Sequence, residues 1–298
     1  NLWVGTRSGL FLMSRQEKSQ FSNLKSDIGQ GENNALSHNT VSDILVENDD
    51  RIWLATAGGL DLLTFGETSD EGYSIRHFRD GRYQKNNDYH KIEQLCPDAR
   101  NEMWCGTKAG ILFFDLKTCS FISHPEIEAA FEGCSFIRAI WRDSHDDMWV
   151  GFENGGLFRY RSGEKRVEKI RFPSGEWPDN CTSICGDRDG HIWVGTKGNS
   201  LFRMDFTGSD ITAVEQYPLS PETNPASARI TYIYLDIFGN IWVGTADGMY
   251  RYSKERDEFD RIELGVPASR PYICGIIGDD DGNLWIPTVS GIYKYSMW

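Results

Sequence analysis

Short apolar runs recur along this chain in a fixed register with a tryptophan. The tryptophans are Trp3, Trp53, Trp104, Trp149, Trp193, Trp242 and Trp285, and successive ones lie 50, 51, 45, 44, 49 and 43 residues apart. Twelve residues before the last six stand Val41, Ile92, Ile137, Cys181, Ile230 and Ile273; nine before stand Ile44, Leu95, Ile140, Ile184, Ile233 and Ile276. Such β-branched runs, bounded by turn formers, predict strands. An acid stands six before each tryptophan (Glu47, Asp98, Asp143, Asp187, Asp236, Asp279), followed by turns such as "DRDG" and "DDDGN". Asp, Asn and Gly tolerate the backbone of a hairpin turn. The tryptophan strand follows, then a Gly-containing turn, then a third strand such as "LFRM" or "MYRY", and a less regular, aromatic fourth segment.

Four short antiparallel strands in each repeat describe a propeller blade, and seven tryptophan strands predict an all-β, seven-bladed β-propeller spanning 1–298 as a single domain. Each tryptophan is expected to bury its ring between blades. The first copy has no strand upstream of it and the last stops after its third, so the chain reads as an excised window of a longer protein.

Composition narrows the function. The net charge is −13, which argues against nucleic acid, since that partner rewards clustered Lys and Arg. No apolar run reaches the length of a membrane span. The cysteines number seven, and Cys181, Cys96, Cys185 and Cys105 occupy slots that hold apolar residues in other copies, which predicts packing rather than redox or metal chemistry. The acidic turns around Asp187 and Asp279 resemble the start of a calcium loop but lack its late bidentate acid, so they are read as Asx turns. The histidines form no zinc-protease pair, and there is no nucleophile elbow or phosphate loop. No catalytic residue, metal or cofactor is expected.

Residues common to every blade serve the blade, so function is sought where blades differ. In a propeller the loops entering the first strand share a face with those between the second and third. Here the entry loops are long and varied, as in "GQGENNALSHNT", "GRYQKNNDYHK", "FPSGEWPDN", "PLSPETNPASAR" and "GVPASRPY". Exposed aromatic rings and polar rims suit a ligand that carries both apolar faces and polar groups. Trp177, outside the packing slots, is the first candidate platform, with Tyr89 and Tyr272 next. Arg229, Lys91, Arg7 and Lys108 are candidate partners for carboxylate or sulfate groups, favouring an acidic ligand. The slot eleven before each tryptophan is mostly polar (Ser42, Glu93, Arg138, Thr182, Thr231) and suggests a wet channel mouth.

The frame I-x-x-I-x-x-D-x-x-G-x-I-W-V-G-T-x-x-G-L-x-x-Y, which "ITYIYLDIFGNIWVGTADGMYRY" follows nearly throughout, resembles the two-component regulator propeller repeat. Departures are local: Ala55 for Gly, Phe152 for Thr, Pro287 for Gly, and an extra residue in the turns near Gly155 and Asn199. The resemblance implies a periplasmic sensor region of a hybrid two-component system. In such systems a second propeller and a β-sandwich belong to the same chain, a membrane helix leads to a histidine kinase, and the sensor is a homodimer. It further implies an oligosaccharide ligand, which those basic residues would make an acidic glycan, and control of glycan-utilisation genes. Two other readings stay open: a protein-interaction scaffold, and an enzyme similar to the streptogramin lyases, for which His90 and Glu93 are the one available His–acid pair.

Overall fold

The β-branched and aromatic runs form the strands that their spacing predicts, and together they build a seven-bladed β-propeller of antiparallel blades, five of them four-stranded among the described residues. The computed structural model describes residues 2–13, 21–26, 35–66, 72–175, 178–198, 200–208, 210–219, 229–265 and 271–297. Blade 2 shows the pattern: strands Val41–Asn48, Arg51–Thr56, Gly59–Phe65 and Tyr73–Phe78 lie side by side in chain order. Among the described residues blade 1 has the second, third and fourth strands, and blade 7 the first three. The chain divides into two compact units, residues 1–142 and 143–298.

The acid six before the tryptophan folds the hairpin. Asp236 Oδ1 accepts the backbone N–H of Phe238 and Asn240, and its Oδ2 accepts the indole N–H of Trp242 at 2.7 Å. The same indole bond joins Trp53 to Glu47 (2.7 Å), Trp149 to Asp143 (3.0 Å), Trp193 to Asp187 (2.8 Å) and Trp285 to Asp279 (2.9 Å). One carboxylate thus closes the turn and satisfies the polar edge of a buried ring, whose N–H would otherwise be costly to bury. Asp98 departs from the pattern and grips the Arg100 guanidinium at 2.9 and 2.8 Å.

Five of the rings then pack on the third strand of the following blade. Trp3 meets Phe65 at 5.7 Å, Trp53 meets Phe114 at 5.2 Å, Trp149 meets Phe206 at 5.8 Å, Trp193 meets Tyr252 at 4.9 Å and Trp242 meets Tyr295 at 5.7 Å. Trp53, Trp104, Trp149, Trp193 and Trp242 are fully buried. In unit 1 the core gathers around Trp53, Met103 and Phe114; in unit 2, around Trp193, Ile230 and Val243, with a second cluster on Trp242 and Ile273.

The repeated Gly-Thr has two separate causes. The glycine lets the next blade approach: a Cβ on Gly106, Gly195 or Gly244 would come within 2.6, 2.3 and 2.6 Å of Cγ2 of Ile137, Ile230 and Ile273. The threonine locks the turn. Thr245 donates its hydroxyl to the carbonyl of Gly248 at 2.9 Å and accepts the N–H of Asp247 at 3.0 Å, and Gly248 sits at φ +126°, where a side chain is strained. Thr6, Thr56, Thr107 and Thr288 make the same bond to Gly9, Gly59, Gly110 and Gly291.

Every first strand that shows a register shift near its start bulges at the polar slot. Ser42, Glu93, Thr182 and Thr231 are the extra residues between Val41/Asp43, Ile92/Gln94, Cys181/Ser183 and Ile230/Tyr232. A bulge re-aims its side chain. The next side chain can then reach the neighbouring blade: Asp43 accepts the N–H of Leu95 at 2.8 Å, and Ser183 that of Ile233 at 2.9 Å.

Candidate ligand site beside the third blade

The expectation that two sets of loops lie together is met by a repeated backbone bond. The N–H of the residue after the threonine donates to the carbonyl that precedes the first strand: Ala57 to Thr40 (3.1 Å), Lys108 to Lys91 (3.4 Å), Lys197 to Asn180 (3.0 Å) and Ala246 to Arg229 (3.0 Å). On this face of blade 3 the entry loop and its neighbour enclose a cavity.

The loop from Asp80 to Lys91 is two capped 3-10 turns. Asp80 accepts the N–H of Arg82 and holds its guanidinium at 2.6–3.0 Å, starting the turn Gly81–Tyr83. Asn86 accepts the N–H of Asp88 and starts Asn87–Tyr89. Each turn ends on a tyrosine, and the two rings stack with centroids 3.8 Å apart and planes 19° from parallel. The opposite wall is the short helix Pro125–Ala130 and the residues after it. Proline at its first position and acids in its first turn suit a helix start. Ile127 and Phe131 bury against the blade. Glu128 reaches back to the Ser123 hydroxyl (3.0 Å) and the His124 N–H (3.2 Å), and His124 is tied to Glu102 at 2.7 Å.

Between these walls lies a cavity of about 270 Å³ lined by Tyr83, Tyr89, Ala109, Gly110, Glu128 and Glu132, with Ile111, Ala129, Phe131, Gly133 and Cys134 completing it. Gly110 sits at φ +150°, and a Cβ there would lie 3.5 Å from the Tyr89 hydroxyl oxygen. Burial raises both phenol pKa values above the ordinary tyrosine value, and the negative charge of Glu128 raises them further.

Of the residues picked out in the sequence, Tyr89, Lys91 and Lys108 are brought together here. Tyr89 lines the cavity. Lys91 pairs with Asp88 at 2.7 Å, an exposed ion pair. Lys108 lies 3.8 Å from Glu93 and 5.3 Å from the centroid of Phe136, whose other cation is Arg138 at 4.1 Å. Phe136 itself has φ +61°, an outlier for a bulky residue. Arg7 is exposed in the turn of blade 1. Arg229 and Tyr272 belong to unit 2, and Trp177 lies outside the described residues, as do most of the long entry loops of blades 6 and 7. The Nε of Arg229 and the hydroxyls of Thr182 and Thr231 are buried without a hydrogen-bond partner. The acidic lining residues Glu128 and Glu132, and Tyr83, were not anticipated. A second tyrosine six residues before Tyr89, and the "HPEIEAA" helix start, were the signals that would have found them.

Other candidates resolve structurally. Cys105, Cys181 and Cys185 are buried, and burial pushes the Cys96 and Cys185 thiols up to about 12, far from a reactive thiolate. None of the seven cysteines is disulfide-bonded. His191 is half-buried against Asp187 at 2.8 Å. Asp187, Asp189 and His191 each bring one ligand atom within 4.8 Å of the others, but Asp187 is already engaged by the Trp193 indole and by backbone N–H groups, and Asp189 by Lys254. Glu93 faces Lys108 rather than His90, and among the described residues no hydrogen bond or ion pair joins His90 to it.

Comparison with known proteins agrees with this architecture. The two-component regulator propeller family matches residues 175–198 and 224–247. The extracellular domain of a protein described as the hybrid two-component system BT3049 of B. thetaiotaomicron superposes with a TM-score of 0.61 at 17% identity, over 99% of this chain and 50% of that one. PorZ of the Porphyromonas gingivalis type-IX secretion system gives 0.71 at 16% identity, over 96% of this chain and 42% of that one. Virginiamycin B lyase of Staphylococcus aureus gives 0.59 at 16%, over 85% and 83%. The chain therefore spans about half the length of the sensor domain it resembles. No curated protein sequence matches it. No helix among the described residues is long and apolar enough to cross a membrane. The chain is a β-propeller, two stretches of which, residues 175–198 and 224–247, match the two-component regulator propeller repeat.

Proposed function

We propose that this chain is the ligand-sensing propeller of a periplasmic hybrid two-component sensor, and that it receives part of an oligosaccharide in the cavity beside blade 3. One observation carries the reading: a stacked tyrosine pair and two carboxylates line a cavity on loops that differ from blade to blade. Its volume, about 270 Å³, is below the range usual for drug-sized ligands and suits one ring of a longer chain. The similarity to an extracellular two-component domain supports the sensor role. In this reading the signal passes to a second propeller, a β-sandwich and a histidine kinase of the same homodimeric protein. Expression of glycan-utilisation genes is the output.

Tyr89→Ala tests it. Calorimetric titration with a glycan panel is expected to show at least a tenfold loss of affinity, about 1.4 kcal/mol, with an unchanged circular dichroism spectrum. Equal affinity in both proteins would remove this cavity as the binding site. The lyase reading is less well supported, because Glu93 is engaged by Lys108.

A further inference from the structure

We propose that the cavity beside blade 3 selects a ligand bearing a primary ammonium group, with amino sugars the class that fits, over neutral or acidic counterparts. The inference rests on the ligand-sensing reading above and specifies its chemistry.

The charge of the lining is one-sided. Its carboxylates are Glu128 and Glu132, and no lysine, arginine or histidine lines the cavity. Glu132 is exposed, and its carboxylate makes no hydrogen bond or ion pair among the described residues. In Glu128 the Ser123 hydroxyl, the His124 N–H and the Arg82 guanidinium (3.5 Å) all meet Oε1. Oε2 accepts no hydrogen bond among the described residues.

Of the nearby cations among the described residues, only Arg82 reaches a lining carboxylate, at 3.5 Å from Glu128 Oε1, and its shorter bonds are to Asp80. Arg82 is held by Asp80 through both carboxylate oxygens and lies over the Tyr83 ring at 5.4 Å. Lys91 is on Asp88, and Lys108 is between Glu93 and Phe136. Burial apart, at the tyrosine rings the charge of Glu128, which raises both phenols, outweighs that of Arg82, which lowers them.

An ammonium group meets such a site with three donors for the carboxylates and a positive charge that electron-rich tyrosines attract. An acidic sugar would bring a like charge into a partly desolvated cavity, which disfavours it. A neutral hydroxyl can take the hydrogen bonds but not the Coulomb attraction. The acidic glycan expected from Arg7, Lys91, Lys108 and Arg229 is therefore not the ligand of this cavity.

The test uses the whole chain at pH 6, where a sugar amine is protonated. Glucosamine, N-acetylglucosamine and glucuronic acid are titrated by calorimetry at low and high salt. Glucosamine is expected to bind at least about tenfold tighter than the other two, and to weaken as salt screens the attraction. Glu132→Gln, an exposed isosteric change, should reduce that preference severalfold. Ala129→Trp, at an exposed position on the cavity wall, should abolish binding with the fold unchanged. Equal binding of glucosamine and N-acetylglucosamine, with Ala129→Trp still blocking both, would overturn the charge selection and leave the sensing cavity standing. Tightest binding of glucuronic acid would overturn it as well. Binding of none of the three, or binding indifferent to Ala129→Trp, would overturn both inferences.

Discussion

At the scale of single residues, the tryptophan is the unit of stability. Trp193 is fully buried, bonds Asp187, and packs edge-on to Tyr252 and Phe259. Trp193→Ala should cost roughly 3–5 kcal/mol, as large-to-small core changes do, read as a clear drop in melting temperature. By contrast Cys181→Val should leave the melting temperature nearly unchanged, since Val41 fills the same slot in blade 2 and both side chains are buried. Asp43 adds a pH dependence. Burial raises its carboxyl to about 6 against the bonds from Leu95 and Ile44, which lower it. Above its ordinary value the unfolded chain releases this proton more readily than the folded one. The Asp43 contribution is thus fully present below about pH 4 and is lost as pH rises through about 6. Chemical denaturation from pH 4 to 7 should show wild-type stability falling relative to Asp43→Asn, by a few kcal/mol at most. A constant difference between the two would mean the carboxyl titrates normally.

At the scale of elements, the Thr-x-x-Gly turn separates strain from hydrogen bonding. A Cβ on Gly248 would meet only the flexible end of Arg261, at 3.4 Å, so space is not the constraint. Gly248→Ala should cost about 1–3 kcal/mol through its backbone conformation alone. Thr245→Val keeps the volume but loses two hydrogen bonds in a buried turn, and should cost a similar amount. Thermal melts of both variants check the pair. These turns were legible in the sequence because one motif recurs at a fixed offset. The cavity was not, since it depends on elements that occur once. The stack of Tyr83 on Tyr89 needs two caps, Asp80 and Asn86, acting on a loop without periodicity. The helix Pro125–Ala130 is six residues long, too short for a helical period to show.

At the scale of the whole molecule, repetition made the fold readable, and difference between repeats hides the ligand. Seven copies average out local irregularity, so substitutions such as Ala55 or Phe152 did not obscure the blades. A binding loop has no second copy against which to compare it. The net charge of −13 says nothing of where charges pair, and lysines and arginines were ranked in the sequence by type alone. Their ion pairs with Asp88, Glu93 and, for Lys197, Glu153 become visible only in three dimensions. The backbone bond that joins the two loop sets has a wider implication. It uses only the N–H of the residue after the threonine, and Ala57, Lys108, Lys197 and Ala246 all make it. The scaffold is thus indifferent to the side chain at that position. Evolution can exchange these side chains blade by blade, trying new specificities while the framework that displays them stays the same.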